Sequence, residues 1–213
     1  MSVNLELSYL NTDQVQAGDL MLKYGDGSAI SKVITFGQNL FQKKGAHGNN
    51  NIVHAGIMLD GNFVIESQGS GVSANDLRVQ NKQYDYEVYR CLLTNVAEGA
   101  ATAAKIVFDA HANSKNAKYS LAGAAASLVR PGKAVNPRTV DTTINRLTTG
   151  KGHSFFCSQF AVYCFQLAAE QNGLPAQSLF DLSDANYSPT KLKESLFKSH
   201  YFYKAGMLRA GIR

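Results

Sequence analysis

The side chains of this chain that could do chemistry together are a cysteine, a histidine and a glutamate. Cys157 stands in FFCSQFAVYCFQLAAE, residues 155–170, where an amphipathic helical pattern begins. Ser154 is the expected N-cap, which puts Cys157 in the first turn. There the unpaired backbone N–H groups and the positive end of the helix dipole favour an anion. A thiolate is such an anion, and it is the nucleophilic form of cysteine. The same N–H groups can stabilise an oxyanion forming nearby. Phe156, Phe160, Tyr163 and Leu167 fall on the core-facing stripe of this helix. Cys164 lies nearly two turns deeper on that side, and like Cys91 it reads as a small buried hydrophobe. Taken singly, Cys157 is open to the same bland reading.

A nucleophilic cysteine needs a base, usually histidine. His47 sits in a Gly/Asn loop, His111 near the end of an alanine-rich helix, His153 just before the expected cap and His200 at the start of the last strand. His54 alone lies in a strongly patterned hairpin, residues 52–67, with Asp60-Gly61 at its turn. A two-residue turn mixes polar and apolar residues on both faces. A three-residue loop, Leu59-Asp60-Gly61, instead puts Ala55, Ile57, Phe63 and Ile65 on one apolar face. His54, Gly56, Met58, Asn62, Val64 and Glu66 then share the other, with Glu66 directly opposite His54. A carboxylate there fixes the imidazole tautomer and stabilises its charged form. An ordinary surface His–Glu pair is the competing reading.

The elements that must position these groups follow from periodicity and turn residues. Strands are expected at 17–24, 84–93 and 200–208, and helices at 28–42 (capped by Ser28), 96–112, 119–129 and 188–197 (Pro189 after Ser188). Residues 43–51 read as loop. Residues 130–153 hold five basic residues against one acidic and read as a long polar loop. Strands and helices mix without regular β-α alternation, which predicts an α+β fold.

The 213 residues, 45% of them hydrophobic, suit a single domain over 1–213 with the polar insertion at 130–153. The net charge of +5 is mildly basic and compatible with an anionic surface or polymer, and no motif points to nucleic acid. Three cysteines form no even framework and no C-x-x-C pair, so neither a disulfide scaffold nor a metal site is expected. No stretch reaches the roughly 20 apolar residues that span a bilayer. The first residues lack a basic, then apolar, export signal, so synthesis in the cytoplasm is expected, with any export by a specialised route.

AGDLMLKY (17–24), HAGIMLDGNFVIES (54–67), FFCSQFAVYCF (155–165) and SPTKL (188–192) together resemble the circularly permuted branch of the NlpC-type, papain-like cysteine hydrolases. The YiiX-like proteins and the lecithin:retinol acyltransferase group belong to that branch, in which the histidine hairpin precedes the cysteine helix. The resemblance runs from about residue 15 to residue 197, and its middle does not align by eye. It implies a small antiparallel sheet packed against helices, one of them bearing the nucleophile. It also implies Cys157 as nucleophile, His54 as general base and Glu66 at the third polar position, which in relatives is histidine or another polar residue. Tyr119 resembles a tyrosine found before the cysteine helix in such proteins, and it is equally readable as a core residue.

The implied reaction is acyl transfer through an acyl-enzyme, with no metal or organic cofactor. The N–H groups of Cys157 and Ser158 are the best oxyanion donors, and Tyr24 is a weaker side-chain donor. The first expectation is an amidase or endopeptidase acting on peptidoglycan peptides, and a small wall hydrolase without an export signal suits an antibacterial effector. Such a protein would have a secretion-system carrier and an immunity protein as partners. A lipid acyltransferase, thioesterase or phospholipase is the alternative, and a non-catalytic binding domain the third reading.

Overall fold

The structure, a computed structural model, describes residues 9–25, 52–68, 71–114, 118–119 and 154–210. The helix expected at 28–42, the loop at 43–51 and the polar segment 130–153 lie outside these residues. So does the helix expected at 119–129, except Tyr119 itself, which stands in a strand and starts no helix.

Nine strands and three α-helices are described. In chain order they are β1 (Tyr9–Leu10), β2 (Leu20–Tyr24), β3 (Ile52–Met58), β4 (Phe63–Gln68), β5 (Gly71–Asp76), β6 (Asp85–Cys91), α1 (Thr94–Ser114), β7 (Lys118–Tyr119), β8 (Ser154–Phe155), α2 (Cys157–Gln171), α3 (Pro189–Lys198) and β9 (Phe202–Arg209). Seven strands form one sheet in the order β1-β9-β6-β2-β3-β4-β5, and β7 pairs with β8 in a small parallel ribbon. The large sheet is larger than expected and mixed: β1 runs parallel to β9, and every other pair is antiparallel. The chain is therefore α+β.

Two cores lie on the two faces of this sheet. On one face Leu20, Leu22, Ala55, Ile57, Ile65 and Tyr89 pack against α1 and α2. On the other, Met21, Met58, Val64, Tyr86, Val88 and Leu208 pack together with Val15 and Leu77 from the connections. Strand alternation explains the split, since neighbours along a strand face opposite ways. The alanines of α1 keep that helix close: Ala97, Ala100, Ala101 and Ala104 are all buried. Helix α2 is not the half-exposed element its pattern suggests. Every residue from Cys157 to Gln166 is buried, and so are Ala168 and Ala169. The sheet, α1, α3 and the turns at residues 176–178 and 184–186 surround it.

Candidate active site

Two local corrections set the geometry. The cap of α2 is Phe156, in an extended conformation and with no side-chain cap hydrogen bond. Ser154 cannot serve, because a cap there needs Phe155 as the first helical residue, and β8 pairs Phe155 with β7 and holds it extended. Cys157 is thus the first helical residue. The backbone of Tyr119 pairs with Phe155, two residues before the cysteine.

The second correction concerns the hairpin. Gly56 pairs with Glu66, Ile57 with Ile65 and Met58 with Val64. The Leu59 N–H donates to the Phe63 carbonyl at 2.7 Å, so the loop is Asp60-Gly61-Asn62, one residue later than expected. Gly61 occupies its centre at φ +76°, where L side chains are strained. Moving the loop by one residue shifts the pairing by two, which preserves the faces. His54 and Glu66 still share a face, but diagonally rather than opposite one another.

Gly56 makes that diagonal possible. A Cβ there would lie 2.8 Å from Glu66 Cγ, 2.8 Å from Val64 Cγ2 and 2.9 Å from the Ile65 carbonyl oxygen. The missing side chain leaves the space through which the Glu66 side chain runs. His54 Nε2 stands 3.5 Å from Glu66 Oε1, an ion-pair distance longer than an ordinary N–H···O bond. Neither group is a surface residue: the His54 side chain is 11% exposed and that of Glu66 0%.

The other carboxylate oxygen is held by three amides. Glu66 Oε2 accepts from Gln68 Nε2 at 2.9 Å, Asn75 Nδ2 at 2.9 Å and Asn81 Nδ2 at 3.0 Å. None of these residues was singled out from sequence. Gln68 was in reach of inspection, two residues from Glu66 on the same strand face. Asn75 and Asn81 depend on β5 folding back beside β4, which no local pattern marks.

Cys157 meets the backbone of β3 where two strands part. The pairing of β3 with β4 ends at Gly56 and Glu66. Just beyond, the backbone of Ala55, the residue after His54, hydrogen-bonds the Cys157 sulfur. The backbone of Ser158 does the same, and since both bonds favour the thiolate, both are N–H donors. The Ser158 side chain is directed elsewhere, donating to the Tyr187 carbonyl. Lys23, the cross-strand partner of His54, holds its ammonium 3.9 Å from the centroid of the Tyr84 ring.

The thiol is not poised as expected from the helix dipole. Burial pushes it up to about 11; the two backbone hydrogen bonds pull it back, the Glu66 charge adds to the rise and Lys23 offsets a little. Desolvation outweighs the helix mouth because Cys157 is only 1% exposed. Burial thus disfavours a resting thiolate. Burial also raises Cys164 and Cys91, which sit in the apolar core.

The remaining expected residues are placed as follows. The Tyr24 hydroxyl donates to Glu87 Oε1 at 2.8 Å, on the sheet face opposite Glu66. His47 and His153 lie outside the described residues. His200 lines a cleft of about 390 Å³ with Asp181, Tyr187 and Lys191. That cleft includes none of Cys157, His54 and Glu66, so it is no guide to the chemistry. Among the described residues no group of His, Cys, Asp or Glu could hold a metal ion. No helix among them is long and apolar enough to cross a membrane.

No protein-family model matches the chain, and no curated protein matches it.

Proposed function

We propose that this chain is a cysteine-nucleophile hydrolase that cleaves amide bonds through an acyl-enzyme, with the peptides of peptidoglycan as substrate. One observation carries the reading. The Cys157 sulfur, at a helix mouth, is hydrogen-bonded by the peptide unit joining His54 to Ala55, and His54 faces a fully buried carboxylate. A histidine paired with an acid, with the backbone of its strand on a thiol at a helix start, supports a reading as acyl-transfer machinery. The likeness of the sequence to the permuted NlpC-type hydrolases supports the same reading.

The mechanism takes the raised thiol as its starting point. In this reading the His54 imidazole, paired with Glu66, is the group that exchanges protons with sulfur. It takes the thiol proton as sulfur attacks the carbonyl carbon, so ionisation accompanies attack instead of preceding it. The Ser158 N–H, released as sulfur bonds to carbon, and the Cys157 N–H receive the developing oxyanion. The C–N bond then breaks, the imidazolium gives its proton to the leaving amine, and a thioester remains on Cys157. Water attacks the thioester, losing a proton to His54. The carboxylic acid leaves, and the proton returns to sulfur.

The net charge of +5 suits an anionic wall polymer. The test is a mass-spectrometric digest of purified peptidoglycan by the wild type and by Cys157→Ala. New fragments from the wild type alone are expected, and their masses identify the bond. If a folded wild type releases no fragments, wall hydrolysis is ruled out, and lipid and protein acyl substrates are next to assay.

A further inference from the structure

Three neutral amides converge on one oxygen of a fully buried carboxylate, while its other oxygen faces an imidazole. Asn81 is the most tightly held of the three. It is 4% exposed and uses both protons of its amide, one on Glu66 Oε2 and one on the Tyr86 hydroxyl at 2.8 Å. Tyr86 is itself 0% exposed, so its oxygen is a fixed point. The Asn81 backbone is tied down as well: its N–H donates to the Asp76 carbonyl and its own carbonyl accepts from the Tyr84 N–H. The side chain cannot turn without giving up both bonds at once and taking its donor from the buried Tyr86 oxygen.

We infer that Asn81, anchored by Tyr86 and assisted by Asn75 and Gln68, is a positioning residue that aims Glu66 at His54. The inference rests on the catalytic reading of Cys157 and His54. The two carboxylate oxygens are chemically equivalent, and within β4 only Gln68 distinguishes them. The cradle selects it by taking Oε2. The donors are amides, so they solvate the carboxylate without neutralising it. A lysine or arginine in the same place would form an ion pair and weaken the hold of Glu66 on the imidazole. The connection between β5 and β6 is thereby part of the site, although it lies across two strands from β3.

The test separates this role from the activity itself. In ¹⁵N-resolved spectra of the His54 ring at neutral pH, the wild type is expected to show one tautomer, protonated on Nε2. Asn81→Ala is expected to mix the tautomers and to lower turnover about tenfold, in the range for residues acting through another group, with KM little changed. An unchanged ring spectrum in folded Asn81→Ala overturns the inference. If Asn81→Ala does not fold, Asn75→Ala, on the more accessible strand, is put through the same two readouts, and an unchanged spectrum there also overturns it. A mixed-tautomer spectrum in a protein without hydrolase activity would uphold the cradle and refute the proposed function, so the two failures are distinguishable.

Discussion

Two buried carboxylates, Glu66 and Glu87, stand on opposite faces of the sheet, and their surroundings differ in kind. Glu87 is 3% exposed and is met by Lys193 at 3.0 Å, Lys204 at 2.9 Å and the hydroxyls of Tyr24 and Tyr89. Two cations bind its charge, and they come from α3 and β9, so the cluster ties a helix and the last strand to β6. Despite burial, the hydrogen bonds from the lysines and Tyr24 hold its carboxyl below the ordinary range. Glu66 has no lysine or arginine partner among the described residues; its neighbours are amides and one imidazole. A neutralised carboxylate is a fastener. A carboxylate solvated by neutral dipoles keeps a field that a neighbouring titratable group can feel.

The largest expected effect lies with His54 and Cys157. His54→Ala should lower turnover by roughly 10²–10⁴-fold, the usual worth of a general base, and Cys157→Ala should abolish it. Cys157→Ala should keep a cooperative melt, because it removes little core volume. A large loss of melting temperature in Cys157→Ala would make that residue structural and dissolve the contrast.

Exchanging the two acids should separate activity from stability. Glu66→Gln should lower turnover less than His54→Ala does, roughly ten- to a hundredfold, and Glu87→Gln should leave it near wild type. Stability should move the other way. Breaking a fully buried pair costs about 3–5 kcal/mol, and the two lysines are about a third exposed, so about 2 kcal/mol is expected for Glu87→Gln in urea titrations. Its sign with pH is fixed. Since the folded carboxyl is depressed, its contribution is complete above the ordinary value of 4.5 and is lost as pH falls through the lower folded value. Glu87→Gln should flatten that acid loss. Equal effects of both variants on turnover would break the comparison.

The smallest effect concerns the thiol. Its folded value, about 11, lies above the ordinary 9.0. Keeping it neutral therefore contributes stability below pH 9 that is lost between pH 9 and 11, at most about 3 kcal/mol. Cys157→Ala should remove that part of the alkaline decline in melting temperature. Alkylation by iodoacetamide should follow the same ionisation, slow at pH 6 and faster with each unit toward pH 11. This reverses the prompt labelling at pH 6 that the helix mouth alone would suggest. A flat rate from pH 6 to 9 would instead indicate a resting thiolate–imidazolium pair.

What could be read locally and what could not divides along the range of the interactions. The hairpin face shared by His54 and Glu66 was legible, because side chains alternate with period two whatever the loop does. The register was not: it depends on which residue closes the loop, and two registers two residues apart bury the same face. The start of α3 at Ser188-Pro189 was legible because its cap is local, with Ser188 Oγ accepting from the Lys191 N–H. The start of α2 was misread because a partner strand far away in sequence holds Phe155 extended.

The same division runs through the site. Cys157, His54 and Glu66 stood out as candidates from residue type and immediate context, since a helix start and a hairpin face are properties of short segments. Tertiary structure alone decided that β5 brings Asn75 and Asn81 onto Glu66 and that Gly56 opens the space Glu66 crosses. It also decided how deeply the thiol is buried, and with that the upward push on its ionisation. Each of these rests on groups that the chain brings together only on folding, where desolvation and hydrogen bonding act through space and no local pattern records them.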